Sequence, residues 1–91
     1  MQEELIKIEK LISDNRTDEA LDALNGYIEA NPESDDAYFL RGNAYRKLTD
    51  WKNAISDYAT AKNINPDSPA ATAYDACIEI MNFFNTDLYN P

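Results

Sequence analysis

The stretch Tyr38-Phe39-Leu40-Arg41-Gly42-Asn43-Ala44-Tyr45, continued by Trp51, Ala54, Ile55, Tyr58, Ala61 and Pro66, decides the fold. Small residues stand at intervals that put them on one helical face, and large aromatics surround them. Between the two runs lies Leu48-Thr49-Asp50, a break with a helix-capping aspartate. The pattern predicts two antiparallel helices in close contact. Gly42 and Ala54 omit bulk, so the axes approach to about 8–10 Å. Tyr38, Tyr45 and Tyr58 fill the volume around them.

Working outward, the pattern recurs. A shift of 34 residues sets Leu11 on Tyr45, Ala20 on Ala54, Leu24 on Tyr58, and Asn31-Pro32 on Asn65-Pro66. The match runs without a gap from Met1 to Ser68. Leu5, Ile8, Leu11 and Ile12 recur at helical spacing, as do Ala20, Leu24, Tyr27 and Ile28. Asp14-Asn15-Arg16-Thr17 is the turn between them, where Asn15 tolerates a left-handed backbone and Thr17 is the expected cap. Ser34 is the expected N-cap of a third helix. Ser68-Pro69 is an N-cap and first-turn pair that opens a fifth. On this reading the chain is one all-α domain over residues 1–91. It comprises repeat one (1–34), repeat two (35–68), and a capping helix with its tail (69–91).

Residues 35–68 resemble a tetratricopeptide repeat: Tyr38, Arg41-Gly42, Tyr45, Ala54, Tyr58, Ala61 and Pro66 fall at that family's spacing. Residues 1–34 look like a degenerate copy, with Ile8 in place of the glycine and Leu11 in place of the tyrosine. Arg41 departs from the leucine common in the family, and is expected to pair with Asp57. The resemblance implies two antiparallel helix-turn-helix units and a capping helix, a fragment of a right-handed α-solenoid. It implies a protein or peptide as partner, bound on the concave face of the first helices. Carried over by position, that face includes Leu5, Glu9 and Ile12 in the first unit, with Phe39, Asn43, Arg46 and Lys47 in the second. Leu5, Ile12 and Phe39 are the expected apolar contacts. Asn43 is expected to hold a peptide backbone through its amide, and Arg46-Lys47 to form a local carboxylate site or two solvated charges. Phe39 stands where carboxylate-gripping members carry lysine, which argues against that mode.

Helix five poses two alternatives. Thr72, Asp75, Glu79 and Asn82 form a polar stripe suited to the wet end of a stack. Ala70, Ala73, Tyr74, Cys77, Ile80, Met81 and Phe84 form an apolar one. Either the helix is rotated from repeat register and packs this stripe onto helices three and four, or the stripe meets a partner or a second copy. Leu88 and Tyr89 in the tail are expected to fold back as a cap or to dock in a neighbour. A monomer is expected, with a homodimer through helix five as the rival.

Composition excludes more than it proposes. With no histidine and one cysteine, histidine-based triads, the usual zinc sets and an internal disulfide are unavailable. Asp14 to Asn25 fails as a calcium loop because Arg16 and Glu19 occupy its third and sixth positions. Gly26 and Gly42 stand alone, so no phosphate-binding loop is present. The acids read as first-turn or exterior groups, Glu3, Glu29 and Asp57 among the latter. No enzyme, cofactor or metal is expected. A net charge of −9 disfavours nucleic acid and favours a basic protein. No apolar run is long enough to span a membrane, and the start Met1-Gln2-Glu3-Glu4 lacks a secretory pattern, so the expectation is cytoplasmic.

Overall fold

The computed structural model describes residues 1–84. Five helices follow in order: α1 (Glu3–Ser13), α2 (Thr17–Ala30), α3 (Asp35–Lys47), α4 (Trp51–Ile64) and α5 (Ala70–Phe84). No strand occurs among the described residues. Leu88 and Tyr89, expected to form a cap or dock in a neighbour, lie outside the described residues. Successive helices pack on one another, and α1 also touches α3, so the body is an elongated 45 × 27 × 18 Å stack.

The two hairpins close identically. In the first turn Asn15 donates its backbone N–H to the Ile12 carbonyl, and Arg16 donates to Leu11. In the second, Thr49 donates to Arg46 and Asp50 to Tyr45. These paired bonds are a Schellman ending, which needs a left-handed residue just past the helix. Asn15 takes φ 63° and Thr49 φ 59°. Asparagine suits that backbone, whereas a β-branched residue there is an outlier. Thr17 does not cap α2 as expected. The turn ends at Arg16, so the helix begins on Thr17 itself, which is buried; Arg16 at the N-cap makes no capping bond and pairs instead with Glu19.

The other expected caps form. Ser34 Oγ accepts from the Ala37 N–H at 3.2 Å and Asp50 Oδ1 from the Asn53 N–H at 3.3 Å. Ser68 Oγ accepts from the Ala70 N–H at 3.1 Å. Each cap satisfies a donor that the helix cannot, a contribution of about 1 kcal/mol.

The core has two parts. Leu5, Ile8, Ile12, Leu24, Ile28 and Leu40 join α1, α2 and α3; Ala54, Tyr58, Ala61, Ala70 and Cys77 join α4 and α5. Tyr38 and Phe39 pack against both. Close approach of α3 and α4 depends on Gly42, since a Cβ there would lie 2.6 Å from Tyr58 Cε1.

Arg41 ties the hairpins together. Its Nε and one terminal nitrogen donate to the two Asp57 carboxylate oxygens at 2.7 and 2.8 Å, and the other donates to Asn25 Oδ1 at 3.1 Å. The guanidinium also lies 5.6 Å from the Tyr38 ring centroid. One side chain thus holds α2, α3 and α4. The carboxylate raises the Arg41 pKa further through its hydrogen bond, against the opposing effect of burial. Asp57 is therefore not an exterior acid: it is buried and paired.

The first half of the apolar stripe of α5 packs on α4. Ala70 and Cys77 are fully buried, with Ala73 and Tyr74 packed beside them against α4. In α3 the buried stripe runs through Ala37 and Ala44, whose 34-residue counterparts are Ala71 and Ile78. Burial at Ala70 and Cys77 falls one position earlier than at those counterparts, whereas Tyr74, the counterpart of buried Leu40, packs in place. Lys62 Nζ over the Tyr74 ring at 4.0 Å adds a cation–π contact across α4 and α5. The polar stripe of Thr72, Asp75, Glu79 and Asn82 faces solvent.

Candidate functional site

Parallel first helices α1 and α3 leave a groove of about 490 Å³ between them. Ile6, Glu9, Lys10 and Ser13 form its α1 wall, Asn43 its α3 wall, with Leu40 and Ile12 at the base. Ile6 is 53% exposed, unusual for an isoleucine on a helix whose other apolar side chains are covered.

The structure sorts the expected site residues. Leu5 and Ile12 are 1% and 8% exposed and belong to the core. Their stripe faces α2 and α3 together, so neither offers the free apolar surface expected of it. Glu9 and Asn43 do line the groove. Phe39 is half-buried, its ring tilted against Tyr58 with centroids 6.0 Å apart. Lys47 is not a free cation: its Nζ donates to the Ile12 carbonyl at 2.6 Å, capping the end of α1. Ile6 and Ser13, which repeat position also puts on this face, line the groove, and Lys10 lines it as well.

Behind Asn43 lies a polar relay. The Tyr58 hydroxyl donates to Asn43 Oδ1. This fixes the amide and leaves its NH2 as the groove-facing donor. Burial pushes the Tyr58 phenol up to about 12, against the lowering effect of nearby Arg46. Burial likewise raises the Cys77 thiol, which makes it an inert core group. Since the folded state holds the Tyr58 proton more tightly, its contribution is complete below the ordinary value of 10 and is lost as pH rises to about 12. Urea midpoints measured across that window should fall more steeply for the parent than for Tyr58→Phe, which lacks the ionising group.

Comparisons with known proteins fit this architecture. The model of the family described as tetratricopeptide repeat matches residues 35–68. Bacteroides fragilis protein BF1650, whose structure was solved by solution NMR, is 43% identical; the match covers 98% of this chain and 91% of that one, with a TM-score of 0.89. The chain belongs to the tetratricopeptide-repeat family. Tetratricopeptide repeats are in general protein-interaction modules and typically non-catalytic. No curated protein matches the chain. No helix among the described residues is long and apolar enough to cross a membrane.

Proposed function

We propose that the chain is a non-enzymatic binding module, one unit built of repeats 1–34 and 35–68 with a capping helix. A peptide or protein segment seats on the face formed by the first helices. The exposed Ile6 above the α1–α3 groove is the observation that carries this reading. An apolar side chain of the partner packs on Ile6, while the Asn43 amide donates to a partner carbonyl. Phe39, Arg46 and Lys47 support the wall, and the Lys47 ammonium already serves the Ile12 carbonyl. The groove therefore favours a backbone-and-apolar contact over capture of a terminal carboxylate. Neither nucleic acid nor membrane is the partner, and the working form is a cytoplasmic monomer without a cofactor.

Pull-down from source-cell extract with the parent, Ile6→Asp and Asn43→Ala tests this. Both variants should lose the captured protein, by roughly tenfold or more if each removes a central contact. Their helical circular dichroism should stay unchanged. Equal capture by all three would remove the groove from consideration.

The self-association alternative has less surface to work with, because Ala70 and Cys77 of the apolar stripe are already covered by α4. Sedimentation at micromolar concentration should give a single species near 10.3 kDa. A dimer dispersed by Met81→Asp would reverse the order of the two readings.

A further inference from the structure

A second groove, of about 460 Å³, opens at the opposite end of α1, where the start of α1, the end of α2 and the 31–34 loop meet. Tyr27 lines it above the buried Leu5, and Glu33 and Asp36 are its only charged lining residues among those described. Both are carboxylates, and neither makes a side-chain hydrogen bond or ion pair among the described residues. Neighbouring Asp35 differs, since its Oδ2 accepts from Asn65 Nδ2 at 3.1 Å. Among the described residues no lysine or arginine lines the groove. It thus combines a half-buried tyrosine, two unpaired acids and a recess in a chain of net charge −9.

The fold satisfies that combination internally elsewhere. Arg41 lies against Tyr38 while its fork holds Asp57. We propose that the groove takes an arginine side chain from a basic partner segment. The guanidinium lies on the Tyr27 ring and shares its donors between Glu33 and Asp36. Arginine suits the site better than lysine because its flat fork stacks and reaches two acceptors at once, whereas an ammonium is a point charge. The site adjoins the α1–α3 groove but does not depend on it.

The test is titration of N-acetyl-arginine amide into 15N-labelled protein at low ionic strength, followed by backbone amide shifts. Saturable shifts should concentrate around Tyr27, Glu33 and Asp36. The Glu33→Gln/Asp36→Asn double variant should weaken binding roughly tenfold, as expected for losing two charged acceptors. Asp18→Asn/Asp22→Asn, with the same change in net charge, should leave it unaltered. Equal weakening by both pairs, or shifts spread over every acidic stretch, would show diffuse attraction and overturn the proposal. So would equal binding of N-acetyl-lysine amide. Ile6→Asp should leave this titration unchanged, so failure of the α1–α3 groove and failure of this site read out separately.

Discussion

Arg41→Met should destabilise the fold by about 3 kcal/mol, the scale for stripping the partner from a buried charge. At 91 residues, that is a fall in Tm of more than about 10 °C. The loss is large because of what stays behind. The Asp57 side chain is only 7% exposed, and without Arg41 its carboxylate keeps neither fork nor water. Asn25 and the Tyr38 ring lose their partner as well. Arg41→Lys should recover only part of the loss, since an ammonium cannot span both carboxylate oxygens. The double variant Arg41→Met/Asp57→Leu removes charge and partner together and should recover most of it. Chemical denaturation of the four proteins checks the series. A single variant within 0.5 kcal/mol of the parent, roughly the range of ordinary surface changes, would mean that the pair bears little load.

Gly42→Ala is the second large effect, and its sign is the informative part. In an open helix, glycine to alanine stabilises by roughly 0.5–1 kcal/mol. Gly26 meets that condition: nothing lies within 4 Å of its added Cβ, so Gly26→Ala should raise the Tm. At Gly42 the new methyl sits 2.6 and 2.7 Å from Tyr58 Cε1 and Cδ1. The ring is fully buried and tethered through its hydroxyl to Asn43, so it has nowhere to turn. Overpacking should cost about 1–3 kcal/mol and outweigh the propensity gain. Adding Tyr58→Leu to Gly42→Ala should make the two changes less than additive, since both act on one contact. Opposite shifts of Tm at two helical glycines in one protein separate propensity from packing without other assumptions.

Much of the fold can be read from the chain because its signals are local and repeated. Gly42, Ala54 and Ala61 mark where helices touch; Ser34, Asp50 and Ser68 mark where they start. The Arg41–Asp57 pair was also legible, because a long cation at a position of close helix contact needs an anion within reach. The left-handed Thr49 was not, since threonine carries no such preference. Its only sequence signal is the 34-residue offset from Asn15. The site was less legible than the fold. Repeat position put Glu9 and Asn43 on the face where the groove lies, yet put Leu5 and Ile12 there too, and both of those are buried. Position along a helix does not fix rotation about its axis, and α1 turns that stripe toward both α2 and α3. The Lys47 contact with the Ile12 carbonyl joins the ends of two helices far apart in sequence, which no periodicity reports.

The seat of α5 also sets a scale for the proposed recognition. Ala70 and Cys77 lie against α4, and among the described residues the groove is bordered by α1 and α3. Two helix widths amount to roughly 20 Å, which an extended strand crosses in about six residues. So short a footprint suits brief, readily reversed encounters. Tight association would then come from several such encounters acting at once along a partner, not from any single one.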